Sequence, residues 1–579
     1  MVDHQALRDK HMAVAHEAVC GAGGVFETTE EEVLGETHEV FVNRARSLRE
    51  YVEQTANFDE REFLVLEDQR LTYQEFRHQV WSAAKALHED FGVQKGDRVA
   101  ILAANCPEWA VAFYAAASIG AIVSAFNGWW TPAEIEYGIQ HSTPKVLIGD
   151  APRLMRLEEI AKLPQDLRII NIDGDFVSLL RHAPDATAPQ VPIDEDDPAL
   201  ILYTSGTTGR SKGALISHRG LIGFVQTAMV NGYIRGMAEV NLQKDLAAKE
   251  GREPPTSPEP PPQTIVMGTS PLFHVSGLHA GILMNIVIGG KIIYRQGRFD
   301  PEHVLQLIEK EKITSFSSIG SMATRVIRHP NFHKYDISSL RTTGSGGSPT
   351  SPALQQLLRD SFPTAAASLG AGYGSSEPTA VITNIGGAEY LERPESCGRI
   401  GVGMEIEIRD ENGQPLPTTQ EGEIHCRSAY TMLKYWDNPE ATAQTIKPGR
   451  WLATGDIGHL DEDGYLYINS RARDMILRNA ENIYPIEIEY RLDSHPDVEE
   501  SAVVGVDHPE MGQEVKAVVV PIAQHQTQHQ TQQQLTEEQL SAWCAETLAS
   551  YKVPTIWEIR TEPLPRNAAG KLMKADLAN

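Results

Sequence analysis

The order of apolar and polar positions divides the chain into a long first part and a short second one. Between residues 60 and 150, short apolar runs alternate with stretches of helical period. Phe63 to Leu66 reads as a strand, and Thr72 with Glu75 three residues on forms a capping box ahead of Phe76, Val80, Ala84 and Leu87. Val99 to Leu102 is the next strand. Pro107 then opens a helix, Ile122 to Phe126 is a strand, Thr131-Pro132 begins another helix, and Val146 to Ile148 is a strand again. Such alternation predicts parallel sheet covered by helices, an α/β fold.

After about residue 470 the pattern changes. Pro485 to Leu492 has helical spacing, Ser501 to Val506 and Val515 to Ile522 read as strands, Thr536 with Gln539 caps another helix, and Ile556 to Ile559 is a last strand. This is an α+β unit of ordinary domain size. Two domains are expected, 1–470 and 471–579.

Two polar stretches break the periodicity. Val240 to Thr264 contains the run EPPTSPEPPP, which extends neither a helix nor a central strand, so the segment is expected to be an exposed insertion. The run QHQTQHQTQQQ, Gln524 to Gln534, reads as a loop joining two elements rather than a metal tract. Trp109 to Phe126 is the longest apolar stretch, but Tyr114, Ser118, Gly120 and Ser124 interrupt it. A helix followed by a buried strand is predicted there, and no transmembrane segment.

Composition narrows the function classes. With 579 residues, 41% hydrophobic and 22% charged, the chain exceeds what one core usually serves and is not a disordered sequence. Fifty-one Lys and Arg against 78 Asp and Glu give a net charge of −27, which argues against nucleic acid as a partner. Five scattered cysteines without CxxC spacing suggest neither disulfides nor a zinc site; with no apolar leader at the N-terminus, a reducing, cytoplasmic setting is expected. Oligomeric state is not read from the sequence.

Candidate chemistry begins at Tyr203 to Gly213, where Thr204, Ser205, Gly206, Thr207, Thr208 and Gly209 precede Arg210 and Lys212, directly after the apolar run Ala199 to Leu202. Glycines let backbone N–H groups approach phosphate oxygens, hydroxyls add donors and the cations offset charge. Two residues separate Gly209 from Lys212, so it is not a Walker A loop.

The whole string resembles the phosphate loop of the adenylate-forming superfamily: acyl-CoA synthetases, aryl-CoA ligases, peptide-synthetase adenylation domains and beetle luciferases. It looks closest to bacterial-type AMP-forming acyl-CoA synthetases, and the resemblance runs from about residue 40 to the end. Gly344-Ser-Gly346-Gly347 resembles the family's glycine-rich stretch beside adenine and acyl group. Tyr373-Gly374-Ser375-Ser376-Glu377 is similar to its YGxTE motif, which implies Tyr373 on adenine, Ser376 near the phosphates and Glu377 on magnesium. Pro271 to His274 resembles the segment at the carboxylate pocket, with His274 nearest the acid. Thr454-Gly-Asp456 matches the motif whose aspartate holds the ribose hydroxyls. Arg471-Ala-Arg473-Asp474 resembles the hinge, with Arg471 contacting nucleotide and Arg473 at the pivot, and Ser470 where glycine is common. Pro565 to Lys571 matches PRxxxGK and implies Lys571 as the catalytic lysine. Asn479-Ala480 replaces both glycines of the family's GGxNIxP loop, beside the thiol tunnel.

The resemblance implies a large N-terminal domain of helix-covered, mainly parallel sheets with a small barrel-like subdomain, and a small mobile α+β C-terminal domain. It implies ATP, Mg²⁺ and coenzyme A as the ligands of a two-step ligase that activates a small carboxylic acid as its adenylate. Phe273-His274-Val275 lacks the Asp that amino-acid-activating relatives carry, and the chain ends after Lys571 without a carrier domain. Coenzyme A and a mainly apolar fatty, cyclic or aryl acid are therefore expected. Phe126, Trp129 and Trp130 could line a pocket, but core packing is the expected role. Three alternatives stand: an acyl-AMP ligase delivering to a carrier protein, a luciferase-like monooxygenase, and a non-catalytic nucleotide-binding regulator.

Overall fold

The computed structural model of the chain describes residues 4–204, 210–254, 263–319, 321–346, 350–379, 381–471, 474–478, 481–522, 535–567 and 570–578. A seven-stranded sheet runs in the order Lys434–Tyr435, Lys212–Ser217, Pro198–Thr204, Ile122–Ala125, Arg98–Leu102, Val146–Gly149 and Arg168–Asn171. From Pro198–Thr204 onward the strands are parallel; the first two pair antiparallel. Ile122–Ala125 and Val146–Gly149 are buried along their whole length, as expected for parallel strands covered on both faces. Helix Pro107–Ser118 covers this sheet's strands and is buried apart from Glu108, so the apolar run Trp109 to Phe126 is core. Among the described residues no helix is long and apolar enough to cross a membrane.

A second, thirteen-stranded sheet has a parallel half and an antiparallel half. Thr342–Gly346, Ser315–Ile319, Ile265–Met267, Lys291–Tyr294 and Glu62–Leu66 are parallel, and Gln69–Thr72 pairs antiparallel with Glu62–Leu66 at the edge. Gly370–Tyr373 is the joint: it pairs parallel with Thr342–Gly346 and antiparallel with Thr383–Gly386. The antiparallel half continues through Gly398–Ile400, Tyr465–Arg471, Leu452–Leu460, Gly422–Arg427 and Glu405–Arg409.

The smaller unit holds Glu481–Ile483, Ile476–Arg478, Gly512–Pro521 and Val498–His508 in antiparallel order, with Ile556–Ile559 parallel to Gly512–Pro521. Helices Pro485–Asp493 and Glu537–Ala545 close its own core around Ile488, Leu492, Val503 and Leu540. The predicted capping boxes at Thr72, with Glu75, and at Thr536, with Gln539, are both present.

Two sequence expectations are corrected. Val240 to Glu250 is not an exposed insertion but the end of a 33-residue helix, His218–Glu250, closed by Gly251 at φ 66°. Ala238, Leu242 and Leu246 continue a four-residue apolar spacing and are buried, helix His4–Cys20 packs alongside, and His11 Nε2 meets Asp245 at 3.0 Å. The prolines act only beyond it; Pro255 to Pro262 lie outside the described residues, as do Gln524 to Gln534. Trp129 is 54% exposed, while Phe126 and Trp130 pack in the core as expected. Trp129 follows the loop residue Asn127, whose side-chain oxygen accepts its N–H at 2.9 Å, and the turn aims its indole outward.

Candidate active site

Strands Pro198–Thr204 and Lys212–Ser217 form a hairpin in which Thr204 faces Lys212 and Tyr203 faces Gly213. The Thr204 hydroxyl donates to the Lys212 carbonyl at 3.4 Å. A Cβ on Gly213 would sit 2.7 Å from Ile201 Cγ2, so the close pairing needs glycine there. Ser205, Gly206, Thr207, Thr208 and Gly209 lie outside the described residues. The described residues on either side of them are anchored. Tyr137 OH donates to the Ser211 carbonyl at 3.1 Å, and the Arg210 guanidinium lies 5.5 Å from the Tyr137 ring. His141 Nδ1 pairs with Tyr203 OH at 3.1 Å, and Trp436 N–H donates to the Gly213 carbonyl at 2.7 Å.

Glu377 lies in the turn after strand Gly370–Tyr373. Ser375 Oγ donates to one carboxylate oxygen at 2.9 Å and Tyr435 OH to the other at 2.8 Å, while the Glu377 carbonyl accepts Met432 N–H at 2.8 Å. The Tyr435 ring carries Lys212 Nζ 5.1 Å from its centroid. Lys212 and Glu377, distant in sequence, are thus joined through one tyrosine. The Ser376 carbonyl accepts Thr379 N–H at 3.2 Å, and the buried Thr379 holds φ 60°. A β-branched residue enters that region at a cost of about 1–2 kcal/mol. Gly374 is exposed in the same turn.

A second group gathers around Asp456. Tyr373 OH donates to Asp456 Oδ2 at 2.6 Å, and Arg471 Nε lies 3.4 Å from Oδ1. Asp456 and Arg471 face each other across the antiparallel pair Leu452–Leu460 and Tyr465–Arg471. Thr454 Oγ accepts Asp456 N–H at 3.1 Å, and Gly455 turns the strand at φ 74°. Burial beside this carboxylate pushes the Tyr373 phenol far up, so it stays a donor. Gly344 pairs with Gly370, which sets the glycine-rich strand end at Gly346 alongside the strand of Tyr373. Gly347 lies outside the described residues.

His274 caps the short helix Val275–Gly277, which runs on into a π-helical turn, Leu278–Leu283, an irregularity frequent at functional sites. Burial lowers its imidazole to about 4, so it is neutral at pH 7, and Nε2 has no partner among the described residues. Lys571 follows Gly570 at φ 76°, and its N–H donates to Asn567 Oδ1 at 3.0 Å. Arg566 ties this turn to the sheet through Glu500 at 2.7 Å and to the Gly570 carbonyl at 3.0 Å. The smaller unit meets the larger through Arg328 and Glu499 at 3.4 Å and through Tyr484 OH donating to Glu421. Asp474 N–H donates to the Arg471 carbonyl at 2.9 Å; Ala472, Arg473, Asn479 and Ala480 lie outside the described residues.

The structure therefore gathers Lys212 with Glu377, and Tyr373 with Asp456 and Arg471, while His274 and Lys571 are each set by a turn of their own. Tyr435 and the Tyr137–His141–Trp436 anchor were missed in the sequence. Their one local signal was Asn438 ahead of Pro439, which marks only a helix start, confirmed by Asn438 Oδ1 accepting Ala441 N–H at 3.0 Å. Among the described residues no cluster of three or more His, Cys, Asp or Glu is placed to cage a metal. A single carboxylate with spare lone pairs instead suits Mg²⁺ brought in with phosphates.

Comparison with known proteins identifies the family. Residues 51–436 match the AMP-binding enzyme family, and residues 487–571 match the AMP-binding enzyme C-terminal domain. The chain is 31% identical over 507 residues to a feruloyl-CoA synthase of an Amycolatopsis species, covering 88% of this chain and 93% of that one. It is 30% identical over 554 residues to 4-coumarate–CoA ligase 2 of Solanum tuberosum, covering 93% and 94%. The o-succinylbenzoate CoA synthetase of Bacillus subtilis, solved with ATP and magnesium ion, superposes with a TM-score of 0.72 at 26% identity, covering 93% of this chain and 100% of that one. The chain belongs to the adenylate-forming, AMP-binding enzyme family.

Proposed function

We propose that the chain is an AMP-forming carboxylate–CoA ligase for aryl acids. The observation that carries this reading is the joining of Lys212, a cation at the mouth of the phosphate loop, to Glu377, a carboxylate suited to Mg²⁺, through Tyr435. Of the fatty, cyclic and aryl acids left open by the sequence, the feruloyl- and coumaroyl-activating relatives favour aryl.

In this reading Thr204, Lys212 and the loop 205–209 receive the β- and γ-phosphates, Ser376 stands beside them, and Tyr373, Asp456 and Arg471 hold the nucleoside. Magnesium, bound with ATP, neutralises phosphate charge. His274, neutral and half-buried, borders the acid, so no imidazolium competes with Lys571 for the carboxylate. The acid's oxygen attacks the α-phosphorus as the bond to pyrophosphate breaks; the coenzyme A sulfur then attacks the acyl carbon, its proton is lost, and AMP leaves. Lys571 draws carboxylate and α-phosphate together in the first step. We place the domain boundary at 470/471 with a hinge at 471–474, supported by the turn between Arg471 and Asp474. A cytoplasmic setting is supported by five unpaired cysteines.

The test is acid-dependent ATP–pyrophosphate exchange with ferulic and 4-coumaric acids. Exchange only when an aryl acid is present supports the reading. ATP binding without exchange would instead identify a nucleotide-binding regulator.

A further inference from the structure

Tyr435 belongs to a two-residue strand, Lys434–Tyr435, paired antiparallel to Lys212–Ser217 with Tyr435 opposite Ala214. Lys212 lies two residues before Ala214 and so shares its face of the strand, which brings its ammonium over the tyrosine ring. Thr442 Oγ accepts the Tyr435 N–H at 3.0 Å, and the side chain is buried. Its hydroxyl reaches Glu377 on the opposite side from Ser375, so both carboxylate oxygens are held by donors. Each oxygen keeps a lone pair for a cation. Ring and hydroxyl thus act on two different groups, one for polyphosphate and one for the metal.

We propose that Tyr435 is a positioning residue for Mg·ATP: its hydroxyl orients the Glu377 carboxylate and its ring fixes Lys212, setting the spacing between the magnesium and phosphate contacts. The inference rests on the assignment of Glu377 and Lys212 made under the proposed function. Its two halves separate by substitution, because Tyr435→Phe keeps the ring and loses the hydroxyl, whereas Tyr435→Leu loses both.

The test is calorimetric ATP binding across a Mg²⁺ titration, with Glu377→Gln alongside. In Tyr435→Phe the Mg²⁺ concentration giving half-maximal enhancement of ATP binding should rise about tenfold, the size of one charge-assisted hydrogen bond, while ATP affinity in EDTA stays unchanged. Tyr435→Leu should weaken ATP binding in EDTA as well. Pyrophosphate exchange by Tyr435→Phe should recover at high Mg²⁺. An unchanged Mg²⁺ midpoint in Tyr435→Phe, with a raised one in Glu377→Gln, overturns the role of Tyr435 and leaves that of Glu377 standing. A loss of affinity by the same factor at every Mg²⁺ concentration marks Tyr435 as merely structural and also overturns it. An unchanged midpoint in Glu377→Gln removes the metal assignment itself, and the proposal with it.

Discussion

The hydroxyl of Tyr373 donates to Asp456 Oδ2 at 2.6 Å while Arg471 holds the other carboxylate oxygen from across the strand pair. Asp456 is therefore oriented by two donors, one on each carboxylate oxygen, and each oxygen keeps a lone pair for the ribose hydroxyls of the proposed reading. Asp456→Ala leaves a buried phenol and a guanidinium without their acceptor. It should raise the KM for ATP roughly 10- to 100-fold, and Tyr373→Phe by less than about tenfold, since one neutral donor contributes about 1 kcal/mol. Steady-state kinetics at saturating acid check both.

Lys571→Ala should lower acid-dependent pyrophosphate exchange by at least about 10²-fold, because a preorganised charge at the reacting phosphate is lost. Thioester formation from a supplied aryl adenylate and coenzyme A should persist. Exchange at the wild-type rate would remove Lys571 from the first step.

Acid stability depends on two histidines buried without exposure. His218 is lowered to about 4 and His279 to about 3, both by burial, and neither ring nitrogen of His279 has a partner among the described residues. Their native pKa lies below the unfolded value near 6.5, so between about pH 6.5 and 4 the unfolded chain binds protons the native one does not. The stability they contribute is present above about pH 6.5 and falls with pH by about 1.4 kcal/mol per unit for each histidine. His279→Leu should flatten that slope by one proton's worth, read from urea unfolding between pH 4.5 and 7.

Asp493, at the end of helix Pro485–Asp493, has the opposite sign. Burial raises Asp493 to about 7, helped by repulsion from Glu489 and Glu500, while the hydroxyls of Ser501 and Ser351 bond it. Lys574 and Arg566 pair with Glu489 and Glu500. The native state keeps the proton, so the contribution is full below about pH 4 and is lost as pH rises through about 7. Asp493→Asn should be more stable than wild type at pH 8, on the order of 1 kcal/mol after solvent screening, with the gap closing by pH 5; thermal unfolding at both values reads it.

Backbone proximity sets a further outcome. A Cβ at Gly223, within helix His218–Glu250, would lie 2.1 Å from the Tyr430 ring, in a segment that leads to Met432 and Tyr435. Gly223→Ala should cost about 1–3 kcal/mol by overpacking, despite alanine's better helix propensity. Denaturant unfolding measures it.

Legibility in the sequence followed the range of the interactions involved. Capping boxes, prolines at helix starts and apolar strands are local, so elements such as Tyr73–Glu89 and Ile122–Ala125 were read within a residue or two. Tyr203 to Gly213 and Tyr373 to Glu377 stood out as strings of residue types, whereas the pairing of Lys212–Ser217 with Pro198–Thr204 did not. Tyr435 was not legible, because its role exists only once a two-residue strand pairs at the sheet edge and brings Lys212 and Glu377 to it. The end of helix His218–Glu250 was misread for a similar reason: a polar stretch is held helical by a packed partner, His4–Cys20, that precedes it by some two hundred residues.

Aryl-CoA formation is the most direct measure of the central claim. Purified protein is incubated with ATP, Mg²⁺, coenzyme A and a panel of ferulic, 4-coumaric and straight-chain fatty acids, and the products are resolved by mass. The account predicts AMP and aryl-CoA in equal amounts, with little or none from the fatty acids. AMP released without any aryl-CoA, turnover of fatty acids alone, or ADP as the nucleotide product would contradict it.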